Sequence, residues 1–182
     1  MLKRQLPLLA LAAVLLAQTG AQIQYAKDGS LVLPKDYREW VFLSSGIGMA
    51  YTSAGPTENP AFENVFVNRD AYRSFLKTGT WPDKTAMILE IRGSDSKVSI
   101  NRNGRVQTAI TAIEAHVKDA SRGGWAFYGF HDGGTVGKPF PKTADCFTCH
   151  ELSGAVDSTF VQFYPTLIDV AKQHGTYKQG AE

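Results

Sequence analysis

Apolar and polar residues alternate along this chain with two different periods, and each change of period marks an element. WVFLSS (Trp40 to Ser45) and ENVFVN (Glu63 to Asn68) are short runs rich in aromatic and branched residues, the composition of strands. Between them GIGMAYTSAGPTENPA is dense in Gly, Pro, Ser and Thr and reads as a loop. Ala71, Tyr72, Phe75 and Leu76 then recur at helical spacing. Asn68 is placed to cap that helix, Asp70 lies in its first turn, and Gly79 stops it after Lys77. TAMILEIR (Thr85 to Arg92) returns to strand, and its continuous apolar centre predicts burial on both faces.

After a polar turn, GSDSKVSINRNGR, comes VQTAITAIEAHVKD, whose pattern fits helix and strand equally. GGWAFYGFHDGG is a short aromatic strand between glycine pairs. Near the end, Phe160, Phe163, Leu167, Ile168 and Ala171 share a helical face that stops at Gly175, with Pro165 in the first turn. At the other end, QIQYAKDGSLVLPKDYREW reads as an irregular arm with a turn at Asp28-Gly29. The order predicts an α+β fold: an antiparallel sheet with flanking helices and a C-terminal helical segment.

The first residues stand apart. Lys3 and Arg4 precede an apolar run from Leu6 to Ala17, and small residues follow in QTGAQ, the layout of a cleavable signal peptide. Cleavage after Ala21 leaves a single domain over residues 22–182, exported to the periplasm or its equivalent. Removing Lys3 and Arg4 brings the formal charge of +2 to about zero. With no basic block left, nucleic acid is not an expected partner. A chain of 182 residues, 43% hydrophobic and 20% charged, is enough for one well-buried core.

The candidate chemistry sits in ADCFTCHELSG. Cys146, Cys149 and His150 spell C-x-x-C-H and use both cysteines of the chain. Two thiols one helical turn apart can add to the two vinyl groups of one haem, and the adjoining histidine can then ligate the iron. A disulfide across two residues is strained, and a thioredoxin-like motif belongs in a βαβ unit that this order lacks. A zinc site asks for more ligands than two cysteines and one histidine. The motif therefore predicts one covalent haem c per chain, attached at Cys146 and Cys149, with His150 as the axial ligand. The three methionines all precede His150, so the usual downstream sixth ligand is missing. Met49, Met87, His116, His131 and His174 are the residues able to replace it; an open or water-bearing position is the expectation.

LPKDYREWVFL, NVFVNRDAYRSFLKTGTWPDKTAMILEIR, GGWAFYGF and CFTCHELSGAVDSTFVQFYP resemble, in that order, the cytochrome P-460 family, which includes the cytochromes c′-beta. The resemblance spans nearly all of the chain beyond the signal segment. It implies a mainly antiparallel β fold with flanking helices, a homodimer, a five-coordinate haem c and a restricted aromatic distal pocket. P-460 members proper carry a bond from a lysine nitrogen to the haem edge and oxidise hydroxylamine or nitric oxide. The c′-beta members lack that bond and bind nitric oxide and similar gases.

Matched to the family pattern, Leu89 stands where the bonded lysine should be. Lys84 falls in the preceding turn and Lys77 at a helix end, both expected in solvent. The family's distal arginine also has no counterpart; its position falls at or beside Glu63. Glu63 is accordingly a candidate catalytic acid/base or an ordinary rim carboxylate. Leu89, Glu63, Phe66 and Met87 are the candidates for the distal wall. Of Phe42, Phe62, Phe66, Trp125, Phe127 and Phe130, most belong to the core and one or two cap the iron. The implied function is binding of nitric oxide or a related nitrogen ligand. P-460-type oxidation of hydroxylamine or nitric oxide is the alternative, and electron transfer with a periplasmic redox partner is a third reading.

Overall fold

The computed structural model describes residues 23–51, 55, 57–131 and 133–181. The expected signal peptide lies outside them. The described residues form eight strands: β1 (Gln24–Tyr25), β2 (Leu31–Val32), β3 (Val41–Ile47), β4 (Phe62–Val67), β5 (Ala86–Asp95), β6 (Val106–Asp119), β7 (Gly124–Phe130) and β8 (Val136–Pro139). They make one antiparallel sheet in the order β1-β2-β8-β7-β6-β5-β4-β3. Three helices accompany it: α1 (Arg69–Thr78), α2 (Asp145–Ser153) and α3 (Pro165–Gln173). The expected α+β class with an antiparallel sheet is what the chain adopts.

Side-chain alternation splits the core in two. Met87 packs with Val67, Phe75, Trp81, Leu167 and Ala171 under α1 and α3. Its neighbours Ala86 and Ile88 point the other way, onto Leu31, Tyr37, Trp40 and Tyr128. Adjacent β5 residues thus serve opposite cores, which accounts for its continuous apolar start. Glu90, on the second face, is buried against Tyr37 and takes hydrogen bonds from Arg38 and Arg92.

Several expectations need correcting. The arm is ordered: β1 and β2 pair around the Asp28-Gly29 turn, and β2 adds to β8, a strand not foreseen. The ambiguous segment is strand β6, whose Ile113, Ala115 and Val117 alternate onto the second core. Asn68 stands at the α1 N-cap position, but its side chain is spent elsewhere. It accepts from the Ala86 N–H at 2.9 Å and donates to the Lys84 carbonyl at 3.1 Å, tying the helix start to β5. Gly79 does stop α1, in a left-handed conformation with φ 68°. A side chain there would also meet His174 of the α3 terminus, so glycine permits both the turn and the close approach. Finally, α3 begins at Pro165, leaving Phe163 on the 3-10 turn before it and Phe160 at the head of that turn. Tyr164 is kept out of the helical region by the proline that follows it.

Candidate functional site

The strand register assembles one wall of a cavity of about 710 Å³. Two rows cross β4, β5, β6 and β7 on the first face: Val67, Met87, His116, Phe127, and Val65, Leu89, Glu114, Gly129. A third row brings Gly46, Glu63 and Ile91 into register. From these rows Glu63, Val65, Met87, Leu89, Glu114, His116 and Phe127 line the cavity. The opposite wall comes from α2 and the chain after it, with Cys146, Cys149, His150, Thr159, Phe160 and Tyr164.

On α2 the motif residues stand at i, i+3 and i+4, one face of the helix. The two cysteines are not joined to each other, and burial pushes the Cys146 thiol up. His150 is fixed from several sides. Its Nδ1 lies 2.9 Å from the Ser158 carbonyl, which accepts its hydrogen when that nitrogen is protonated and leaves Nε2 unprotonated for a metal. Its ring is packed by Phe160, Phe127 and His116, with centroids at 4.2, 4.6 and 4.8 Å. Burial lowers its pKa, favouring the neutral imidazole that a metal requires.

The Ser158 carbonyl is itself held in place. Asp157 and Ser158 both have positive φ, 47° and 57°, in a tight turn closed by the Val156–Thr159 pair. Non-glycine residues pay strain for that conformation, so the surroundings must impose it. Lys118 Nζ bonds Asp157 at 2.6 Å and the Trp81 carbonyl at 2.8 Å. The Thr159 hydroxyl donates to the Val156 carbonyl at 2.6 Å and accepts from Trp81 Nε1 at 2.8 Å. Trp81 and Thr159 are almost wholly buried.

The sheet wall is arranged differently. Among the described residues neither Glu63 nor Glu114 has a hydrogen-bond or ion-pair partner, and burial raises the pKa of both. The negative charge of Glu114 adds to the shift at Glu63. His116 is buried between the rings of Trp125 and Phe127, at 4.1 and 4.0 Å, with Nε2 unpartnered. Burial holds it well below the ordinary histidine pKa.

The structure brings together Leu89, Glu63 and Met87, but not Phe66. That ring lies on the other sheet face against Tyr37 and Phe42, because it is one residue out of phase with Val65 and Val67. Of the possible sixth ligands, Met49, Met87 and His116 reach the cavity, whereas His131 and His174 are exposed elsewhere. Lys77 is exposed on α1, and Lys84 is paired with Asp119 at the sheet end. Glu114 escaped the sequence reading. Only when its segment is known to be a strand does alternation put it on the same face as His116, opposite the apolar Ile113, Ala115 and Val117.

These features fit a large flat cofactor. The volume is in the range of cofactor sites. The buried Nε2 of His116 needs a partner, since an unmet polar atom costs about 1–3 kcal/mol. Among the described residues no three His, Cys, Asp or Glu converge as a set for a bare ion. One oriented imidazole suits a metal that brings its own ring of donors.

By kinship the molecule is a haem-binding cytochrome. The family model for Cytochrome P460 matches residues 34–161, and the chain belongs to that family. Among curated proteins none matches its sequence.

Proposed function

We propose that this is an exported cytochrome with one haem c, joined through Cys146 and Cys149, which binds nitric oxide or a related small nitrogen ligand. A haem held here by His150 would supply an iron able to bind such a ligand. The carrying observation is the fixed His150 imidazole, facing a wall whose centre is Leu89. His150 is the proximal residue, oriented by the Ser158 carbonyl. Leu89 and Val65 make the centre of the facing wall apolar, which favours neutral ligands over hydrated ones. Leucine has no nitrogen with which to join a haem edge. Met87 is packed into the core beneath α1 and α3. His116 is wedged between two aromatic rings and lies against His150 itself.

A second reading, oxidation of hydroxylamine or nitric oxide, is favoured by one observation. Glu63 and Glu114 are cavity carboxyls whose pKa values burial raises, and a raised pKa suits a carboxyl to give and take a proton. In that reading Glu63 is the catalytic acid/base and Glu114 its neighbour on the same wall.

The absorption spectrum of purified ferrous protein, with and without nitric oxide, separates the two. Ligand binding is predicted to give an ordinary high-spin c-haem spectrum that shifts on adding nitric oxide. A strongly red-shifted Soret band, or a haem peptide also joined to a lysine peptide, gives first place to oxidation. A low-spin spectrum indifferent to nitric oxide contradicts both.

A further inference from the structure

Among the described residues the acids of the cavity have no hydrogen-bonded or ion-paired cation. Glu63 and Glu114 flank Leu89: Glu114 pairs with it directly on β6, while Glu63 lies diagonally, one row along on β4. Asp145 adds a third carboxylate at the rim from the first turn of α2. Among the described residues no lysine or arginine lines the cavity. The cations on adjoining elements are engaged elsewhere: Lys118 with Asp157 and the Trp81 carbonyl, Lys142 with the Trp125 carbonyl, Lys84 with Asp119. His131, exposed at the end of β7, pulls on Glu114 in the opposite sense, but burial outweighs it. His116, with 7% of its surface accessible and Nε2 unpartnered, marks the same cavity as built to receive a group. Structural carboxylates in this protein look different: Glu90 and Asp119 are each surrounded by donors.

We infer that Glu63 and Glu114 make the distal side a charge filter, which admits neutral and protonated-amine ligands and disfavours anions such as azide, cyanide and nitrite. The inference rests on the haem reading above and concerns which ligands reach that site. Two like charges beside a poorly screened cavity repel an entering anion far more than they would in water. They leave an uncharged diatomic almost unaffected and attract an ammonium.

The test uses ferric holoprotein at pH 8 and compares affinities for azide and nitric oxide by absorption titration. In Glu63→Gln/Glu114→Gln the ratio of azide to nitric oxide affinity is expected to rise at least about tenfold over wild type. Each single variant falls between. Wild-type protein supplies an independent reading: the azide association rate should rise with added salt, because salt shortens the reach of the repulsion. If both ligands bind, the ratio stays put and the azide rate ignores salt, the filter is refuted while the haem reading stands. If neither ligand binds to haem-loaded protein, the open-site reading fails and the filter with it.

Discussion

The two walls of the cavity are built on opposite terms. On the helical wall the polar groups behind His150 are matched: Ser158 to His150, Thr159 to Trp81, Asp157 to Lys118. On the sheet wall Glu63 and Glu114 are unmatched among the described residues, although both are partly buried. The first arrangement fixes one imidazole through a chain of contacts that ends in a strained turn. The second leaves carboxyls free to respond to whatever enters. Matched contacts are therefore concentrated on one wall, and the ligand selectivity proposed above belongs to the other.

The comparison can be broken most sharply at His150. His150→Ala should keep the covalent haem and lose the proximal ligand, with added imidazole restoring the wild-type ferrous spectrum. An unchanged spectrum without imidazole would show that another residue holds that position. Next come the supports. Trp81→Ala removes a wholly buried ring and should cost about 3–5 kcal/mol in denaturant unfolding. Thr159→Val leaves Trp81 Nε1 buried and unpaired, at about 1–3 kcal/mol, and should broaden or shift the proximal-ligand signature as the turn loosens. On the other wall Leu89→Ala, half-buried at the cavity surface, should cost about 1 kcal/mol. Equal losses at Trp81 and Leu89 would erase the distinction.

A smaller effect is set by pH. Burial raises the folded pKa of Glu63 and Glu114, so the folded protein holds their protons more tightly than the unfolded chain. Their contribution to stability is then greatest below the ordinary carboxylate range, and it declines as pH rises through the raised values. Glu63→Gln/Glu114→Gln should raise the Tm at pH 7 and leave it nearly unchanged at pH 4. Asp119 runs the other way. Burial opposes its ionisation, but hydrogen bonds from Lys84, Ser121 and Tyr25 prevail and bring its pKa down to about 2. Its stabilisation is complete above the ordinary aspartate pKa and is lost as pH falls toward 2. Asp119→Asn should therefore lower the Tm at pH 7 far more than at pH 2.

What the sequence made legible follows the strength of local signals. The strands at WVFLSS, ENVFVN and TAMILEIR and the helix ended by Gly79 are written in period and punctuation, and they stand as read to within two or three residues. Strands β1, β2 and β8 are two to four residues long and owe their pairing to the sheet edge they complete, so no local run announces them. The CxxCH spacing is legible in sequence, and the structure puts its three residues on one face of α2. The facing wall is not legible, since a one-residue phase decides which side chains face inward. That phase turns Phe66 away, keeps Glu63 in, and reveals Glu114 only once β6 is paired with β5. The Ser158 carbonyl is invisible to sequence reasoning for another reason. It is a backbone atom aimed by a turn of two non-glycine residues with positive φ.

The most direct test is the intact mass of the processed protein under denaturing conditions, made in a host able to attach haem c. One haem retained on the wild-type chain, and none on Cys146→Ala/Cys149→Ala, is the predicted result. A wild-type mass equal to that of the bare polypeptide contradicts the account at its centre.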